Sequence, residues 1–205
     1  MTYDHQDIHP LLRKRASSRV YNPGHPVPSE AITLLLEAAR WSPSSGNGQP
    51  WRYLVFDDRV PEAREVARAI LDPGNGVWAS QAPVLILGIA KEVRSGGRAN
   101  AYGQHDLGLA NQSLLLQATA LGLHCRPMGG FDKEQAVERF HIPEGHRPMV
   151  MIAVGYPGEL ELLSDDVQEK ERVTRTRRPL GEFAYHGDWD QPFPGEPAAD
   201  GARSV

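Results

Sequence analysis

Four short stretches carry the residue types that could do chemistry. The first, Arg13-Lys14-Arg15-Ala16-Ser17-Ser18-Arg19, crowds basic and hydroxyl groups together. Guanidinium forks beside a serine match the acceptor geometry of a phosphate, so this is either an anion clamp or a solvated positive patch. The second, Ser42 to Trp51, is a loop of small polar, Gly and Pro residues that includes Pro43, Ser44, Ser45, Asn47 and Gln49. Its amides and hydroxyls can hydrogen-bond an uncharged heterocycle or a polyol, although the same residues also make an ordinary surface connection. The third is Pro127-Met128-Gly129-Gly130-Phe131-Asp132, where adjacent glycines let backbone N–H groups approach something closely. The fourth is a basic cluster, Arg172, Arg175, Arg177 and Arg178, closed by Pro179.

Most familiar chemistries have no equipment here. Neither a G-x-G-x-x-G after a strand nor a G-x-x-x-x-G-K-[ST] occurs, so the dinucleotide fold and the phosphate-loop NTPases lack their anchors. The eight histidines include no H-E-x-x-H, and His141 and His146 flank a turn with a proline, so no metal is expected. A G-x-S-x-G elbow is missing, and Cys125 beside His124 is not a nucleophile–base pair, because chain neighbours do not face each other. Paired carboxylates stand only in solvated runs, Asp165-Asp166 and Glu169/Glu171. An enzyme built this way draws its reactivity from a cofactor.

One helix is expected to organise these stretches. From Leu107 to Leu121 the chain is apolar on nearly every side, with Asp106 at its positive end and Gly122 as its stop. No charge falls between Asp106 and His124, so its own domain, a partner subunit or both must bury it. Asp132 and Gln135 read as a capping box for a helix over 132–140. Upstream, Pro10 opens a short helix, Ser29 is expected to cap Glu30–Trp41, and Trp51–Phe56 reads as a strand. Pro61 opens another helix; Asp72–Gly76 is turn-rich and Val77–Gln81 makes a helical turn. Val84–Ile89 and Met149–Val154 are apolar on both faces, the mark of central strands. Arg94–Ala99, with Gly96-Gly97 at its middle, is a lid or a plain mobile loop. The charged stretch Glu159–Val173 has no clear element. Trp189 and Phe193 sit in a Gly/Pro/Asp-rich tail and are expected to dock on a surface, such as another subunit's, ahead of a loose last dozen residues. Three strands of buried type separated by helices imply one α+β or mixed α/β domain over 1–205 in a helical coat, without internal repeats.

Bulk properties narrow the class further. A chain of 205 residues can hold one real core, and a net charge of -4 favours neither nucleic acid nor an anionic membrane. The single cysteine excludes an internal disulfide framework and a thiolate cluster. No apolar run is long enough to span a bilayer and residues 1–9 lack a signal-peptide pattern, so the expectation is a soluble cytoplasmic protein.

Taken together and in order, Arg15–Tyr21, Ala38–Trp51, Pro127–Asp132 and Arg175–Leu180 resemble the motifs of the FMN-dependent nitroreductase family, over about Pro10 to Phe183. The resemblance implies an antiparallel-type sheet wrapped by helices, with the long central helix in a homodimer interface and the extension 184–205 packed on the partner. It implies that Arg15, Ala16, Ser17 and Arg19, with Arg175 and Arg177, hold the FMN phosphate and ribityl chain. Pro43, Ser44, Ser45, Asn47 and Gln49 would touch the flavin from the other subunit. Pro127, Met128 and Gly129 would line one face of the ring, and Gly129 or Gly130 would give a backbone N–H to flavin N5. The activity implied is ping-pong: hydride from NADH or NADPH, then two-electron reduction of a nitroaromatic, quinone or similar small acceptor. Many members carry glutamate where this chain has Gly129, and Arg178 falls at a variable position. Other flavin chemistry on the scaffold (dehalogenation, oxidative ring formation, flavin breakdown) would need residues covering the cavity, for which 92–104 is the place to look. A non-catalytic flavin-binding dimer is the third alternative.

Overall fold

The computed structural model describes residues 8–194. By its internal contacts the chain divides into two compact units, one ending at Glu171 and one beginning at Arg172. In the first, helices α1 (Pro10–Lys14) and α2 (Ser29–Arg40) precede strand β1 (Trp51–Phe56), and α3 (Pro61–Ala69) and α4 (Pro73–Ala79) precede β2 (Val84–Lys91). Then come α5 (Gly103–Ala120), β3 (His124–Met128), α6 (Lys133–Arg139), β4 (His146–Gly155) and α7 (Asp165–Arg172). The strands form one four-stranded antiparallel sheet in the order β1-β2-β4-β3.

The apolar runs at 84–89 and 149–154 become the two central strands, and alternation along them divides the core between the two sheet faces. Leu85, Leu87, Ile89, Met151 and Ala153 face α3, α4 and α6 through Ala67, Ile70, Trp78 and Ala136. Val84, Ile86, Ala90, Ile152 and Val154 face α2 and α5 through Ile32, Leu35, Ala39, Leu107, Ala110 and Leu114. The period of two that sends successive side chains to opposite faces therefore builds both layers from one strand. Gly88 lets α5 press onto β2, because a Cβ there would stand 2.9 Å from Val150 and 3.4 Å from Asn111.

The structure departs from the sequence pattern at several points. The strands number four rather than three: β3 has no β-branched residue and contains Pro127, which an edge strand tolerates because no outward N–H is needed. Helix α5 starts a turn early, at Gly103, whose missing Cβ lets the helix start beneath the Lys91 carbonyl, 2.6 Å from where that Cβ would be. Pro28, not Ser29, is the N-cap of α2, and the Ser29 hydroxyl bonds Glu30 instead. Asp72–Gly76 is not simply a turn: Pro73 takes the first position of α4, where a missing N–H costs nothing. The charged stretch contains α7, whose Val167 is buried. Gly122 (φ 74) does end α5 in the left-handed region, and Asp132 does cap α6, accepting from the Gln135 N–H at 2.8 Å.

Helix α5 buries Leu107, Ala110, Leu114, Leu115 and Ala118 but leaves Gly108, Leu109 and Gln112 exposed. This exposed face carries no charge. In the second unit, Tyr185 pairs with Pro192 across a small turn, and Trp189 stacks on Tyr185 at 4.7 Å while remaining 79% exposed. The expected loose tail lies outside the described residues.

Candidate functional site

The first cluster forms where the segment after α1 runs along β3. Arg15 Nη1 donates to Ser17 Oγ at 3.0 Å, with Ala16 exposed between them. Arg126, reaching from β3, donates to the Ser17 carbonyl and lies 5.2 Å over the ring of buried Trp78. The segment is pinned from beneath. Buried Tyr21 donates its hydroxyl to the Ser18 carbonyl at 3.0 Å, Ser18 Oγ accepts from the Val20 N–H, and His124 Nδ1–H donates to the Val20 carbonyl at 2.8 Å. Arg19 is engaged by α7: its backbone N–H and Nη1 both reach Glu171 Oε2, at 3.1 and 3.5 Å. Burial, then the nearby positive charge of Arg19, holds the Arg126 pKa below the usual arginine value. Arginine stays protonated nonetheless, so Arg15 and Arg126 bring two positive charges to Ser17, with Arg19 close to Arg126 and paired to Glu171.

Three residues further along the same strand is the bare-backbone turn, about 10 Å from Arg126 at the strand rise of ~3.3 Å per residue. A Cβ at Gly129 would meet nothing within 4 Å, so its backbone faces open space. Gly130 is the opposite case. Its carbonyl accepts from the Asp72 N–H at 3.1 Å and from Asn75 Nδ2 at 2.9 Å, and a Cβ there would lie 2.5 Å from both side chains. The Asp132 N–H to the Ile70 carbonyl (2.8 Å) and the Leu71–Phe131 bridge complete the clamp. Pro127 is half-buried at the strand end, whereas the Met128 side chain is buried in the core, so only its backbone is available to a ligand.

The loop before β1 is built on α5. Ser42 Oγ bonds Ser113 Oγ at 2.7 Å, and the Ser45 N–H donates to the buried Asp106 carboxylate at 3.0 Å. Ser44 Oγ accepts from the Gln49 N–H at 3.0 Å, and Gln49 Nε2 donates to Asn47 Oδ1 at 3.1 Å. Pro43, Asn47 and Gln49 are exposed, and Ser44 and Ser45 are half-buried. Gly46, Asn47 and Gln49 all take positive φ (58°, 53° and 44°), a conformation that costs a non-glycine residue of order 1 kcal/mol and persists only where its surroundings enforce it.

Within one chain the two clusters stand apart. The Ser42–Pro50 loop enters β1 and the Arg15–Ser17 segment lies on β3, so opposite edges of the sheet hold them at least three strand spacings, roughly 14 Å, apart. Arg175 and Arg177 belong to the second unit, where both are exposed and Arg177 Nη1 donates to the Thr176 carbonyl at 2.6 Å. The residues that sequence reasoning misses are Arg126, Asp72, Asn75, Asp106 and Glu171. Buried Cys125 has its thiol pKa pushed up by desolvation and is inert. Among the described residues no helix is long and apolar enough to cross a membrane.

A four-stranded antiparallel sheet coated by helices, with a positive cluster on the strand that leads into an open glycine turn, defines an α+β protein. Comparison with known proteins agrees: the nitroreductase family model matches residues 12–75 and 60–156. Protein DrgA of Synechocystis is 30% identical over 209 residues, covering 86% of this chain and 94% of its own. A solved oxidoreductase containing FMN is 32% identical, with 93% of this chain and 100% of that one covered at a TM-score of 0.85. A protein of Desulfovibrio desulfuricans solved in complex with FMN is 29% identical, with 91% and 99% covered and a TM-score of 0.68. The chain belongs to the nitroreductase family, whose members are FMN-dependent oxidoreductases.

Proposed function

We propose that the protein binds FMN, takes hydride from NADH or NADPH and reduces nitroaromatic, quinone or similar small conjugated acceptors by a ping-pong mechanism. The observation that carries this reading is the continuity of β3, which joins the Arg15–Ser17–Arg126 cluster to the open Gly129 turn. The residues fit the group. Guanidinium donors and a serine hydroxyl suit a phosphate dianion, and a residue without a Cβ leaves the backbone N–H accessible beside a flat ring. When bound, FMN supplies the two-electron redox chemistry, for which this chain has no side-chain equivalent.

The chain's own work is positioning. Arg15, Ser17 and Arg126, with Arg19 as a further donor, hold the phosphate end. Asp72 and Asn75 fix the Gly130 carbonyl, which sets the orientation of the Gly129 backbone. Pro43, Ser44, Ser45, Asn47 and Gln49 complete the site of a second copy, because their loop stands at the far sheet edge from the phosphate cluster of their own chain. The uncharged exposed face of α5 supports such a homodimer. Anaerobic stopped flow tests the activity. NADH or NADPH should bleach the flavin absorbance, a quinone or nitroaromatic should restore it, and double-reciprocal plots should be parallel. A flavin that no nicotinamide bleaches contradicts the reading.

A further inference from the structure

We propose that the pocket between the Ser45–Pro50 loop and the Lys91–Asn100 hairpin is a phosphate-binding subsite, which, resting on the oxidoreductase reading, holds a phosphate of the nicotinamide dinucleotide. The pocket encloses about 260 Å³, and Lys91, Arg94 and Arg98 stand around it with Ser45. Among the described residues none of these three cations has a carboxylate within ion-pair distance. The hairpin's own acid, Glu92, is turned away, accepting from Arg147 Nε at 2.9 Å and Gln104 Nε2 at 2.6 Å. Three like charges around one small volume repel one another, and an entering dianion relieves that repulsion.

The backbone that carries these cations is held in place, and so is one of the side chains, Arg94. Gly96 and Gly97 (φ 83° and 78°) turn the chain back so that the Arg94 N–H meets the Arg98 carbonyl at 2.7 Å and Val93 bridges Ala99. Arg94 Nε donates to Asn100 Oδ1 and its Nη2 to Ser45 Oγ, both at 3.2 Å, while Asn100 Nδ2 donates to the Lys91 carbonyl at 3.1 Å. Asn100 therefore ties Arg94 to the end of β2, and the guanidinium keeps N–H groups free for a ligand. Three cations and a hydroxyl suit a phosphate, with three terminal oxygens, better than a carboxylate with two. The pocket shares Ser45 with the loop assigned to the flavin of the second copy, so an anion held here sits beside that site.

The test uses the protein as purified, with Arg94→Gln/Arg98→Gln and Arg15→Gln variants and inorganic phosphate as probe, its binding followed by ³¹P NMR. Losing two charge-assisted contacts should weaken phosphate binding about tenfold or more in the double variant, with no comparable loss in Arg15→Gln. Equal affinity in the double variant and the parent overturns the subsite. Flavin counting is the second readout, and a double variant emptied of flavin would make the pocket part of the flavin site and overturn the proposal. Steady-state kinetics then locate the phosphate. A KM rise confined to NADPH assigns the 2′-phosphate, an equal rise for NADPH and NADH assigns the diphosphate, and no rise in either overturns the dinucleotide assignment. A protein inert towards both dinucleotides that still loses phosphate binding with Arg94 and Arg98 sinks the oxidoreductase reading while upholding the subsite.

Discussion

The adjacent glycines at the end of β3 are predicted to respond in opposite ways to a single methyl group. At Gly129 a Cβ meets nothing within 4 Å and φ is not positive, so Gly129→Ala mainly removes freedom from the unfolded chain. It should be neutral or stabilise by up to about 1 kcal/mol. At Gly130 the Cβ stands 2.5 Å from Asp72 Oδ2 and Asn75 Nδ2, closer than real contacts allow. Both side chains must move, and the Asn75 bond to the Gly130 carbonyl at 2.9 Å is lost with them. Overpacking and a lost hydrogen bond together cost about 1–3 kcal/mol. Urea titration of the flavin-free proteins reads the difference. With an m-value of about 2 kcal/mol/M, the midpoint of Gly130→Ala should fall by about 0.5–1.5 M while that of Gly129→Ala stays or rises. Equal midpoints, or a larger loss at Gly129, would refute the clamp formed by Asp72 and Asn75 on this turn.

Other expectations follow from the same contacts. Arg126→Gln removes the cation that holds the Ser17 carbonyl, so the FMN dissociation constant from flavin-fluorescence quenching should rise about tenfold or more; an unchanged constant excludes Arg126 from the site. The Gln135 backbone N–H, then its side chain, lowers the Asp132 pKa from its ordinary 3.8, so the carboxylate's contribution to α6 is complete above that value and fades as pH falls through the lower folded one. Asp132→Asn keeps a capping oxygen but should erase this part of the acid dependence in pH-resolved urea titrations. Cys125 should resist iodoacetamide at pH 8 in the folded protein and react once urea unfolds it, as mass spectrometry would show; rapid native labelling contradicts its burial.

What the residues reveal without the structure is what local pattern can carry. The apolar runs at 84–89 and 149–154 need only their own composition to be central strands, and the Gly122 stop and Asp132 cap are encoded within a few residues of where they act. Strand β3 is different. His124-Cys125-Arg126-Pro127-Met128 has no strand-forming signal of its own and becomes a strand through pairing with β4, so Arg126 reads as an isolated base until that pairing brings it to Ser17. Asn75 looks like a turn residue because its partner, the Gly130 carbonyl, is 55 positions away, and Glu171 looks solvated because Arg19 is 152 positions away. Likewise the Ser42–Trp51 composition marks a loop, but only the sheet order shows that it stands across the sheet from the positive cluster of its own chain.

The most direct test of the central claim is the visible spectrum of the freshly purified protein, with the released chromophore identified by mass and counted per chain. The Arg15–Ser17–Arg126 cluster joined to the open Gly129 turn predicts FMN at about one per chain. A colourless protein that also fails to take up added FMN would contradict it.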